Sequence, residues 1–312
     1  MSPHLKTRLI DAYRIATWPV RRYRLQHMKQ QGQVPIAILF YHRVDNEHPN
    51  PWTISEKDFQ KQINWFQRNF DLVSLEECQK RIASGFNERP TLSITFDDGY
   101  ADNCTYALPM LIERGIPVTY FVTTYHTTLG QPFPHDIKNG RPLAPNSIES
   151  LIAMSNAGVE IGAHTRSHPD LGKISNHDQL LDEVIWATHQ MEKLIEKKIR
   201  YFAFPFGQVD NLNPSVFQLL KEYGFEGVCS AYGGFNHVGD DTFHLQRMHG
   251  DPNFSRMRNW LSFDPRLERV KRYDYQAELS LLETTFEKPV LPQEDQRGRK
   301  PPRKVYQDTK PA

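Results

Sequence analysis

The sequence is poor in cysteine. Cys78, Cys104 and Cys229 form an odd set, far apart and without CxxC spacing. That argues against a disulfide framework and a thiolate zinc site, and it suits a reducing compartment. Long apolar runs are missing too. The longest is Ile36 to Tyr41, whereas a membrane-spanning helix needs about 20 apolar residues, so no transmembrane segment is expected. Neither sign of charge dominates: Lys and Arg number 38 and Asp and Glu 37 in 312 residues, a net charge of +1. A near-neutral chain has no global field for nucleic acid, and no such partner is expected. The first residues also lack the apolar stretch of about 7–15 residues found in a secretory signal. The expected location is therefore cytoplasmic.

What is present is an ordinary globular composition, 38% hydrophobic and 24% charged, which excludes collagen, coiled coil and wholesale disorder. Three regions differ. Residues 1–33 scatter Lys6, Arg8, Arg14, Arg21, Arg22, Arg24 and Lys29 against Asp11 alone, among Leu5, Leu9, Ile10, Tyr13, Trp18, Tyr23 and Leu25. Such a basic amphipathic extension can pack on the main domain, which the interruption at Pro19 favours. It can also make peripheral contact with an anionic inner membrane face. Residues 266–312 form a C-terminal extension expected to be mostly disordered. From about Gln276 it holds five prolines amid charges and cannot bury enough apolar surface to offset its ordering entropy.

Between them, residues 34–265 read as one domain. Apolar runs at 36–41, 92–96, 118–122, 159–163, 199–204, 227–230 and, weakly, 243–248 predict buried strands. Ser55 with Asp58, Ser74 with Glu77, and Asn213 before Pro214 predict helix starts. Leu181, Val184, Ile185, Thr188, Met191 and Ile195 line one face of a helix over 178–197. Alternating strands and helices mean parallel β/α units. Seven or so strands fit a barrel or an open sheet, and in both the chemistry belongs at the carboxyl ends of the strands.

Three strand ends carry reactive residues. Asp97-Asp98-Gly99-Tyr100 follows the strand ending at Phe96. Adjacent carboxylates persist where a cation or a shared proton relieves them, and alternation sends the two in different directions. His164-Thr165-Arg166-Ser167-His168-Pro169 follows the strand ending at Ala163. Histidines four apart can converge on one metal, and Pro169 favours a curled loop over a helix. Two imidazoles and a carboxylate leave open positions for water and substrate. At Phe204-Pro205-Phe206-Gly207 the proline ends the ladder, and the Phe206 N–H is a candidate oxyanion donor.

Thr95-Phe96-Asp97-Asp98-Gly99, His164-x-x-x-His168 and Phe202-Ala203-Phe204-Pro205-Phe206-Gly207 occur in the order seen in the polysaccharide deacetylases, the NodB-homology or carbohydrate esterase family 4 group. Tyr41-His42-Arg43-Val44 and residues 114–122 are similar to that family as well, and the similarity covers about residues 34–265. The resemblance implies a distorted (β/α)7 barrel and a metal-dependent hydrolase that removes N-acetyl groups from N-acetylhexosamine units of a polysaccharide or glycan precursor. Asp97 matches the general base, while Asp98, His164 and His168 match the ligands of one divalent ion, usually Zn2+, with Co2+ or Ni2+ as substitutes. Pro205 and Phe206 match the oxyanion loop, where the family often has Tyr in place of Phe206. The partner implied is an N-acetylated glycan or glycan-lipid.

Many members carry the proton donor in a Leu-x-His motif that this chain lacks in recognisable form. By position, His249 is the candidate acid and Arg247 the residue that orients Asp97. His42, following the first strand, either touches substrate or supports the site, and Tyr100 and Pro205 are further substrate-binding candidates. The irregular stretch from Gly130 to Asn146 is expected to shape a groove. The remaining histidines, including His126 and His244, are expected at the surface. Two alternatives stay open: a carbohydrate-binding barrel without turnover, and an amidohydrolase acting on a non-sugar amide.

Overall fold

A computed structural model describes residues 3–267 and 270–281. Its strands are β1 (Ile36–Tyr41), β2 (Arg43–Val44), β3 (Thr53–Ile54), β4 (Asp71–Leu72), β5 (Thr91–Phe96), β6 (Val118–Val122), β7 (Glu160–Ala163), β8 (Tyr201–Ala203), β9 (Gly227–Cys229), β10 (His244–Leu245) and β11 (Met248–His249). The main sheet runs β10-β9-β8-β7-β6-β5-β1-β11, with β4 added beside β5, and every strand pairing in it is parallel. Its two ends are nearly continuous in sequence. β10 pairs with β9 and β11 with β1, and only Gln246 and Arg247 separate them. A single split strand therefore closes the sheet into the distorted seven-stranded barrel.

The pleat sorts the side chains. Ala37, Leu39 and Tyr41 of β1 and Leu92, Ile94 and Phe96 of β5 face outward into the main core under the helices. Ile36 and Ile38 point the other way and join Phe121, Tyr201, Ala203, Cys229 and Leu245 in a second cluster inside the barrel. Leu75, Cys78 and Ile82 of the helix Leu75–Ser84 belong to this inner cluster and plug it. On β5 the inward positions are Thr91, Ser93 and Thr95, so the strand brings polar side chains up the barrel axis towards Asp97.

The helix starts lie where the sequence places them. Ser55 caps Glu56–Asn69 by accepting from the Asp58 N–H, Ser74 caps Leu75–Ser84 through Glu77, and Asn213 caps Pro214–Glu222. The predicted helix over 178–197 is interrupted by π-helical winding at Leu181–Trp186, a feature often found at functional sites. Among the described residues, no helix is long and apolar enough to cross a membrane.

One regional expectation needs correction and a second is narrowed. Pro19 does not break the N-terminal helix, which runs from Pro3 to Gln31 beside the helix Phe254–Leu261. At the other end, Tyr275–Leu281 is helical, and the Tyr275 ring stacks on Phe217 at 4.3 Å. The C-terminal extension is thus anchored through residue 281; residues 282–312, where most of the expected disorder falls, lie outside the described residues. His126 and His244 are buried rather than at the surface. The His244 Nε2 meets the Ser230 hydroxyl at 2.9 Å, and burial pushes its pKa down to about 3. The His126 ring stacks on Phe133.

Candidate metal and hydrolytic site

Asp98, His164 and His168 converge although two chain segments supply them. The Asp98 Oδ1 lies 3.4 Å from the His164 Nε2 and 3.2 Å from the His168 Nε2. These separations are those of the edges of a tetrahedron with metal–ligand bonds of about 2.0–2.1 Å, which are about 3.3–3.4 Å long. The Asp98 Oδ1 is buried and has no hydrogen-bond partner among the described residues, a costly state for a carboxylate oxygen unless a cation meets it. The His164 Nδ1 donates to the Ala203 carbonyl at 2.7 Å, which fixes the tautomer and leaves the Nε2 lone pair for a ligand. The residues present fit a divalent ion. Burial opposes charge on Asp98, but the facing His42 and His168 outweigh it and hold its pKa well below the ordinary value.

The local backbone is unusual at these positions. Asp98, Thr165, His168 and Phe206 all have φ between 60° and 73°, in the left-handed region, which costs a non-glycine residue of order 1–3 kcal/mol. The positive φ of Asp98 swings its side chain away from that of Asp97. Its carbonyl is held by the Thr123 N–H and hydroxyl at the end of β6. The His168 N–H donates to the Thr165 hydroxyl at 2.9 Å, closing the curled loop.

Asp97 points into the barrel, where Arg247 grips it. Nη1 donates to Oδ1 at 2.7 Å and Nη2 to Oδ2 at 2.9 Å, a bidentate pair. The same guanidinium donates to the Thr95 hydroxyl and the Ser230 carbonyl and lies over the Phe40 and Phe121 rings. Burial works against the charge on Arg247; Asp97 more than compensates, and the pKa is raised. Arg247 can reach Asp97 because it sits in the break between β10 and β11.

The other predicted residues are spread around this centre. The ring of His249 packs against Phe40, His42 and Trp52 at 5.4–6.3 Å, and burial, followed by repulsion from His42, lowers its pKa to about 4. His42 feels Asp98 and Asp97 more directly. Burial lowers its pKa, the two carboxylates pull it back, and its Nδ1 is buried without a partner among the described residues. Asn103 fixes the turn after β1, donating to the His42 carbonyl and accepting from the Val44 N–H. The Phe206 ring is exposed and meets that of His168 at 5.0 Å, and its N–H has no protein acceptor among the described residues. Gly207 is required there: at φ +62° a Cβ would lie 2.7 Å from Ala231. Pro205 accepts from the Gly207 N–H, forming the tight turn. Tyr100 is buried, and its hydroxyl donates to the Asp136 Oδ2. It thereby ties down the 130–146 stretch, whose Phe133 faces His168.

Glu183 is the residue that sequence reasoning missed. One carboxylate oxygen accepts from the Arg166 and Ser167 N–H groups, and the other accepts from the Ser167 hydroxyl at 2.6 Å. A glutamate set between Leu181 and Val184 of the apolar stripe was the available signal, but π winding hides its direction from a 3.6-residue reading. Glu183→Ala should leave the Ser167 N–H and hydroxyl unpaired, while the Arg166 N–H keeps the Glu183 carbonyl, and cost about 1–3 kcal/mol, measured by chemical denaturation. Affinity of the loop for Zn2+ should fall about 10–100-fold by competition titration. Unchanged affinity would show that the loop holds its shape alone.

Parallel strands closed into a barrel, with a two-histidine, one-carboxylate cluster and a clamped second carboxylate at their carboxyl ends, define a barrel enzyme of the hydrolase class. Residues 85–228 match the family model for polysaccharide deacetylases. A curated relative, YxkH of Bacillus subtilis (strain 168), itself assigned to the polysaccharide deacetylases, is 21% identical over 232 residues, covering 73% of this chain and 76% of its own. The solved deacetylase PplD of Streptococcus pyogenes, in complex with acetate, superimposes with a TM-score of 0.62 at 21% identity, covering 74% of this chain and 99% of that one. A de-N-acetylase from Aggregatibacter actinomycetemcomitans gives 0.58 at 20% identity, over 72% and 99% of the two chains.

Proposed function

We propose that this chain hydrolyses N-acetyl groups on N-acetylhexosamine units of a polysaccharide or glycan-lipid precursor, on the cytoplasmic side of a membrane. The observation that carries the reading is the juxtaposition of Asp98, His164 and His168 with an Asp97 clamped by Arg247. Asp98, His164 and His168 would hold a divalent ion, with Zn2+ the best match to their chemistry, and such an ion would supply Lewis acidity at the site. Asp97 takes the proton of the attacking water, and Arg247 fixes the direction of its lone pairs. The Phe206 N–H donates to the developing oxyanion. Two further observations support the reading: acetate, the product of this reaction, accompanies PplD, and three cysteines without disulfides suit a reducing compartment.

An amide nitrogen must be protonated before it leaves. We assign this proton to His249, whose low pKa makes it a strong donor once charged. A second reading gives the role to His42, because both carboxylates act electrostatically on that ring and its Nδ1 is buried without a partner among the described residues. The test is acetate release from N-acetylglucosamine oligomers, peptidoglycan fragments and acetylated xylan, with and without chelator. Release from at least one N-acetylated substrate, abolished by chelator, is expected, and none from any substrate overturns the proposal. On the best substrate, His249→Gln should cost about 10²–10⁴-fold in kcat. If His249→Gln is neutral and His42→Gln carries that loss, His42 is the donor.

A further inference from the structure

The N-terminal helix is inside out. Towards the barrel it presents mainly polar groups, with Leu25 and Met28 packing on the core near its end. The Thr7 hydroxyl accepts from the Asn253 side chain at 2.9 Å, the Asp11 Oδ2 accepts from the Ser255 hydroxyl at 2.7 Å, and Arg21 is buried with two donors on Asn259. Away from the barrel, Leu5, Leu9, Ala12, Ala16, Val20 and Tyr23 recur at intervals of three and four and so share one face. All six are exposed, Leu9 at 52%, Val20 at 61% and Tyr23 at 75%. A helix that only covered the barrel would turn this stripe inward.

Charge identifies what the stripe meets. Lys6, Arg8 and Arg22 flank it and are exposed, and the one acidic residue of the helix, Asp11, is bonded on the inner side. A second copy of the chain laid against this face would bring like charges together. An anionic lipid surface would neutralise them, while the apolar stripe enters the headgroup boundary. Tyr13, exposed at one edge of the stripe, suits that boundary, where amphipathic rings are enriched.

We infer that the outward face of the Pro3–Gln31 helix docks the protein on an anionic membrane surface, with the helix lying in the plane of the interface. The Thr7–Asn253 bond places the N-terminal half of the helix beside the segment that follows His249, so docking would hold one rim of the barrel's mouth near the surface. Resting on the deacetylase reading, this makes a lipid-carried glycan the accessible substrate class; the docking itself does not depend on that reading.

The test is co-sedimentation of the full chain with phosphatidylcholine vesicles with and without about 30% phosphatidylserine. Binding to the anionic vesicles alone is expected, weakening in high salt and falling about fivefold for each of Arg8→Gln and Arg22→Gln. Leu9→Glu/Val20→Glu should abolish it while leaving the melting temperature and acetate release from a soluble oligomer unchanged. Failure to bind anionic vesicles, equal binding to neutral ones, or a wild-type dimer that this double variant converts to monomer would each overturn the proposal. Binding without acetate release would instead count against the enzyme reading.

Discussion

Asp97→Asn should reduce acetate release by about 10²–10⁴-fold and at the same time destabilise the fold by about 3–5 kcal/mol. The second effect follows from Arg247. Its guanidinium is fully buried and gives two of its bonds to the carboxylate, and an amide in that place leaves the cation uncompensated. Arg247→Met should fail in the mirror sense, stranding the carboxylate. Combining the two changes removes both charges from the barrel and should recover most of the stability, because a buried ion pair replaced by apolar groups is often neutral or better. Activity should not return with it. Denaturant unfolding and acetate release on the same four proteins check this. A double variant as unstable as the sum of its parts would mean that the pair is not coupled as the geometry indicates.

Metal removal should have the other large effect. Chelated protein is expected to lose acetate release altogether. Zn2+ at about 100 times its dissociation constant should stabilise the fold by about 2.7 kcal/mol, or roughly 5–10 °C in melting temperature for a domain of this size. His164→Ala should remove both the activity and the shift. Asp98→Asn tests the same point from the other segment, because its oxygen lies within 3.4 Å of both imidazole nitrogens. If chelated protein turns over normally and shows no thermal response to added ion, the cluster has another purpose.

Much of this was legible in advance because parallel strands buried on both faces read as uninterrupted apolar runs. β1, β5 and β6 match their predicted spans to within a residue. The candidate groups were legible for a related reason: Asp97, Asp98 and His164 stand within two residues of strand ends, and a β/α barrel concentrates its chemistry there. Curvature and side-chain direction were not legible. Nothing in the residue types announces a left-handed Asp98, His168 or Phe206, since only the surrounding packing holds them there. Two-residue strands such as β2 and β3 are too short to show a period. The break between β10 and β11 hid how Arg247 reaches the axis, and π winding hid Glu183. The N-terminal helix escaped a simple reading because most of its inner face is held by hydrogen bonds, with apolar contact concentrated at Leu25 and Met28.

The split strand also sets an order of events during synthesis. Every candidate ligand has been synthesised by residue 168, and the turn at Phe206 follows soon after, yet the partner of Asp97 is made only at residue 247. Until then the growing polypeptide has the ingredients of an ion cage but an unclamped base in an unclosed cylinder. Closure and competence are therefore acquired together, and a fragment ending just short of Arg247 would be both open and inert.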